Sequence, residues 1–89
     1  DEEHRRQIWK VVFPREAPLC DDVDFNLLAR EVKFAGGNIK NIALTAAFYA
    51  AEERGVIQMF HVQQATHREY QKLGRTFNEN QWSVREKID

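Results

Sequence analysis

The residues best equipped for chemistry lie between Phe25 and Arg54, in the stretch FNLLAREVKFAGGNIKNIALTAAFYAAEER. Two helical patterns meet there at Gly36-Gly37, with Asn38 and Lys40 just beyond. The first N–H groups of a helix have no intrahelical acceptor, and the helix dipole adds partial positive charge at the same place, so a turn of this kind suits an anion or a nucleotide. Lys40 adds a hint, since a cation in the first turn opposes the dipole and costs roughly 0.3–1 kcal/mol unless an anion is near. The plainer reading is that a Gly-Gly pair between helices is only a tight connection.

No other group makes a convincing site. His61 and His67 are six residues apart, which puts them on different faces of a helix, and with His4 they show no HExxH spacing. Solvated surface histidines account for all three. Cys20 has no neighbouring histidine or acid marking it as a nucleophile, and reads as a partly buried thiol. Arg68, Lys72 and Arg75 read as a solvated basic face, or as a contact with a neighbouring subunit. No G-x-x-x-x-G-K-[ST] loop is present to cradle phosphates, so the chain alone is not expected to hydrolyse ATP.

Eighty-nine residues amount to one small domain near the lower limit for a self-sufficient core. A hydrophobic content of 43% with 30% charged residues fits a globular chain and excludes wholesale disorder. Thirteen basic against fourteen acidic residues give a formal net charge of −1, which lacks the footprint of a nucleic-acid binder. With a single cysteine, no internal disulfide can form, and a reducing compartment is expected. The charged start, DEEHRR, is unlike a signal peptide, and no apolar run approaches the ~20 residues needed to span a bilayer. A cytoplasmic location is expected, and a first residue other than Met suggests a fragment or a processed product.

Two prolines and four glycines punctuate four helices. The first is expected from Glu2 to Phe13, with Ile8, Trp9, Val12 and Phe13 as its apolar stripe, followed by a linker held irregular by Pro14 and Pro18. Asp22 or Asp24 would cap the second, Phe25 to Phe34, which buries Phe25, Leu28, Ala29 and Val32 and ends at Gly36-Gly37. Asn38 is the expected N-cap of the third, which runs to Arg54 and stops at Gly55. Its face of Ile39, Ile42, Ala43, Ala46, Ala47 and Ala50 should be the most buried surface of the molecule. Val56 to Phe60 reads as a connector that plugs the core, because a lone strand would have no partner. The fourth helix is expected from His61 to Leu73, carrying Val62, Ala65, Glu69 and Tyr70. The tail 76–89 is compatible with a short helix over Ser83 to Ile88 or with partial disorder. The expected architecture is an all-α, four-helix bundle over residues 1–75.

In this order the features resemble the C-terminal helical lid of AAA-type ATPases: a charged helix with Ile8-Trp9, a proline-containing linker, Asp24-Phe25-x-x-Leu28-Ala29, Phe34-x-Gly36-Gly37-Asn38-Ile39-x-Asn41, an alanine-rich helix and Ala65-x-x-x-Glu69-x-x-Lys72. The resemblance covers about Asp1 to Arg75 and is densest from Leu28 to Ala51. It implies a lid over ATP and magnesium bound by an N-terminal α/β domain outside this chain. Nucleotide-binding residues would be Gly36, Gly37, Asn38 and Lys40, the glycines against adenine and ribose and Lys40 sensing the terminal phosphate. It also implies a parent ATPase working as a homo-oligomeric, hexameric ring, with lid motion relayed through Ile8 and the first helix. Two other classes stay open on the residues alone. One is a helix-turn-helix DNA-binding module over Leu27 to Ala47, although Ile42, Leu44 and Phe48 suit bases poorly. The other is a protein-binding helical adaptor using Trp82.

Overall fold

The computed structural model describes residues 1–75; the expectations for the tail, including Trp82, fall on 76–89, outside the described residues. Among the described residues the chain is all-helical, with four helices and no strand: α1 (Glu2–Val12), α2 (Phe25–Glu31), α3 (Gly36–Ala51) and α4 (Met59–Lys72). Contact passes along the series α2, α1, α3, α4, with α3 packed most extensively on α4 and also touching α1. None of these helices is long and apolar enough to cross a membrane.

Each helix starts and stops for a local reason. Asp1 caps α1 by accepting from the His4 amide at 2.8 Å, and Glu2 and Glu3 follow in the first turn. Phe13, expected inside the helix, is instead its extended C-cap, because Pro14 disfavours helical geometry in the residue before it. Of the two candidate aspartates it is Asp24 that caps α2, accepting from the Leu27 amide at 3.0 Å. Asp22 reaches across the molecule to accept from the Met59 amide at the head of α4, also at 3.0 Å.

The second helix is shorter than expected. It ends at Glu31, and Val32 adopts an extended conformation, so Val32 and Phe34 are buried from an extended segment. Gly36-Gly37 therefore does not terminate α2. The pair forms the first turn of α3 behind the N-cap Ala35, and Asn38 lies one turn inside rather than at the cap. The left-handed glycines stand elsewhere, at Gly55 (φ 87°) and Gly74 (φ 71°), just past α3 and α4. Gly55 donates to the carbonyl of Ala50 at 2.8 Å, so α3 closes at Ala51 rather than at Arg54.

The core joins Trp9, Phe13, Leu28, Val32 and Phe34 to Ile39, Ile42, Ala43, Ala46 and Ala50 of α3, and to Ile57, Met59, Val62 and Ala65. Ala47, placed on the same stripe by the sequence, is only partly buried against it. Ile57 and Met59 plug the core as expected, but Val56 to Phe60 is not without a partner. Ile57 donates to the carbonyl of Pro18 at 2.9 Å and accepts from Cys20 at 2.8 Å, a single parallel bridge centred on Leu19 and Ile57. The proline linker thus supplies the pairing, and α4 begins at Met59, two residues before His61.

Ile57 is fully buried while Val11 is 79% exposed. Truncating Ile57 to alanine should cost about 2–5 kcal/mol in urea denaturation, and Val11→Ala should stay within about 0.5 kcal/mol. Comparable losses at the two positions would contradict this core.

Candidate functional site

The head of α3 is built from three directions. Phe34, just before it, packs on Tyr70 of α4 with ring centroids 4.6 Å apart, and the Arg75 guanidinium lies over the Phe34 ring, 5.7 Å from its centroid. Ile8 of α1 comes from a second side, its Cδ1 lying 3.6 Å from where a Gly36 Cβ would be. From the third, Asn38 donates its side-chain amide to Glu69 Oε2 of α4 at 3.1 Å.

Gly36, Gly37, Asn38 and Lys40 are thereby gathered on the first two turns of one helix, Gly37 and Lys40 exposed and Gly36 and Asn38 half-buried. Neither glycine has a positive φ. A Cβ on Gly37 would meet nothing within 4 Å, and one on Gly36 only the ordinary contact with Ile8. Backbone geometry and internal packing thus leave both glycines unexplained, although glycine within a helix costs roughly 0.5–1 kcal/mol relative to alanine. The head is also bare: Ala35 has no side chain that can cap, and no acidic residue stands in the first turn. The amides of Gly36, Gly37 and Asn38 precede the first intrahelical bond, from Ile39 to Ala35 at 3.0 Å. A small anion or the edge of a planar group can approach this surface closely.

Behind the head lies a carboxylate that sequence reasoning placed only on a helix face. Glu69 is 4% exposed, accepts from Asn38, and pairs with Lys72 Nζ at 3.2 Å through its other oxygen. Burial works against its charge, yet hydrogen bonds from Asn38, Lys72 and Asn41 together outweigh burial and hold the carboxyl below its ordinary value. The signal was in the sequence, since Val62, Ala65, Thr66 and Glu69 follow the i, i+3, i+4, i+7 spacing of a buried stripe.

His61 corrects another expectation. It is 1% exposed, not a solvated surface residue. Its Nδ1 accepts from the Gln58 amide at 3.0 Å, which leaves Nε2 as the protonated nitrogen of the neutral ring, donating to Glu53 at 2.9 Å. The imidazole thus caps α4 and ties it to the end of α3. An open groove of about 650 Å³ runs past it, lined by Tyr49, Glu52, Glu53, Gln64, His67 and Arg68 among others. Among the described residues no group of three histidine, cysteine, aspartate or glutamate side chains could hold a metal ion. Of the basic face, Lys72 is paired with Glu69 and Arg75 covers Phe34, while Arg68 is exposed beside the groove.

Comparison with models of protein families and with curated proteins finds no match.

Because the folded carboxyl of Glu69 sits below the ordinary 4.5, its contribution to stability is fully present above that pH and is lost as the pH falls through the lower, folded value. The difference in melting temperature between the wild-type chain and Glu69→Gln should be largest at neutral pH and shrink in acid. A difference that is the same at every pH would refute the assignment.

Proposed function

We propose that this chain is the C-terminal helical lid of an AAA-type ATPase, closing over ATP and magnesium held by an N-terminal α/β domain and passing the motion of hydrolysis to a homo-oligomeric ring. The observation that carries the reading is the pair Gly36-Gly37 at the head of α3. Neither the backbone nor the packing within the chain requires glycine there, and the surface in front of Gly37 is open. A close approach by something outside the chain explains both. The uncapped amides of the same turn supply hydrogen-bond donors, Lys40 supplies a cation one turn along, and Asn38 contributes its backbone while its side chain is held by Glu69.

The order of the sequence features that carry the resemblance, from Asp1 to Arg75, supports the same reading, as does the all-helical arrangement of four helices over those residues. Ile8 lies against Gly36, so a shift of α1 would be felt at the nucleotide edge. In this reading the chain binds ATP only weakly by itself, because most phosphate contacts belong to the other domain, and the cytoplasm is its compartment. A helix-turn-helix module is favoured less. Its two helices should brace one another, whereas α2 packs on α1 and the exposed part of α3 carries Leu44 and Phe48.

Gly37 separates nucleotide contact from folding. In the full-length protein Gly37→Val should raise the KM for ATP about tenfold or more, on the scale expected when a close contact is displaced. In the 89-residue chain Gly37→Ala should leave stability unchanged or raise it by up to about 1 kcal/mol. Unchanged ATPase kinetics in the valine variant would count against the contact.

Lys40→Ala should slow hydrolysis with near-normal ATP affinity if the ammonium acts on charge developing at the terminal phosphate. Loss of affinity alone, with turnover intact at saturation, would contradict that role.

A further inference from the structure

We propose that Glu69 is a positioning residue for the nucleotide edge, acting through Asn38 to fix the rotation of the α3 head and so the placement of Gly36-Gly37. The inference rests on the lid reading above and adds a residue from a different helix to that site.

A strut between α3 and α4 does not require a charge. A well-packed apolar residue in place of a buried ionic group is often neutral or stabilising, because desolvation of the ions offsets most of their attraction. Glu69 nevertheless lies in the buried stripe of α4 with both oxygens engaged, one by Asn38 at 3.1 Å and one by Lys72 at 3.2 Å. The donor Asn38 stands on the first turn of α3, so the carboxylate of α4 is tied directly to the head of the helix it faces. Apolar packing would let α3 slide or turn by small amounts. A directed bond from the first turn of α3 to a buried, anchored carboxylate resists that.

Asn38 follows directly on Gly37, so rotation of its side chain about the helix axis carries the glycine edge with it. No side chain caps α3 at Ala35, which leaves the first turn without the usual restraint at its very start. The Phe34–Tyr70 contact holds the segment before the helix, and the Asn38–Glu69 bond orients the turn itself. Lys72 is 54% exposed at its side chain and offsets the carboxylate, which moderates the negative charge behind a surface that would receive phosphate.

Steady-state ATP hydrolysis by the full-length protein tests this with Glu69→Leu, Asn38→Ala and the double variant. Each single variant should raise the KM for ATP roughly 5- to 20-fold, with kcat within about twofold of wild type, and the double variant should be no worse than the worse single. The melting temperature of Glu69→Leu should be equal to or above wild type; a merely structural strut would lower it and leave KM alone. If Glu69→Leu does not fold, Glu69→Gln takes its place, keeping an acceptor for Asn38 without the charge, with a smaller KM increase of about two- to fivefold. KM within twofold of wild type in Asn38→Ala and in the Glu69 variant that folds, with Gly37→Val still raising it, overturns the positioning role and spares the nucleotide reading. Unchanged KM in Gly37→Val as well means the nucleotide reading has failed, and the inference with it.

Discussion

Only a helix with small side chains fits where α3 lies, between α1 on one side and α4 on the other. Ala43, Ala46 and Ala50 are fully buried there, alternating with Ile39 and Ile42. Interiors are close-packed, so each extra methylene on this stripe would push a neighbouring helix outward and strain contacts on both sides. The main packing runs through this helix: α1 and α4 both pack on α3, and α2 packs on α1. A displacement of α3 therefore cannot stay local, and anything that touches its head is coupled to the whole domain.

A domain this small cannot rely on helix faces alone, and its loops carry a share of the fold. The proline linker and the connector before α4 are joined by two backbone bonds through Ile57, while Asp22 holds the first amide of α4. Arg5 of α1 donates to the carbonyl of Ala29 at 2.8 Å, closing the other end against α2. These bonds satisfy groups that would otherwise be buried without partners, and they bring together residues nearly forty positions apart. The linker is irregular in its dihedral angles and well determined in its contacts.

The helices that sequence periodicity reads well are the ones whose partners are repetitive. The stripe of α3 and the burial of Trp9 follow from spacing, because packing there repeats every three or four residues, while the glycine at Gly55 marks the turn but α3 closes earlier, at Ala51. The errors fall where a residue serves a distant partner. Val32 and Phe34 look like a continuing helix by their apolarity, but they fill the core from an extended segment against Tyr70. His61 looks like a surface histidine until the Gln58 amide, at the start of its own helix, and Glu53, just past the end of α3, meet its two nitrogens. Of the candidate site, the four residues at the α3 head are legible as a cluster; Glu69 is legible only as a carboxylate in an apolar row, with nothing local to say what it faces.

The quality of helix starts differs across the molecule, and the difference has a direction. Helix α1 is capped by Asp1, α2 by Asp24, and α4 by Asp22 and His61 together, each an arrangement worth about 0.5–2 kcal/mol. The head of α3 has an alanine where a cap should be, two glycines that neither conformation nor packing demands, and a lysine near the wrong end of the dipole. Any one of these is a small and common departure from the most stable choice. Gathered at one end of the most buried helix, the missing cap and the two glycines together cost roughly 1–3 kcal/mol, a sizeable part of what holds a small domain together. A sequence that caps its other helices well has not failed at capping in general. On the lid reading proposed above, the compensation for this end of α3 would come from a contact outside the chain, and the bare amides, the open flank of Gly37 and the nearby ammonium are the features an anionic, flat-edged ligand would meet there.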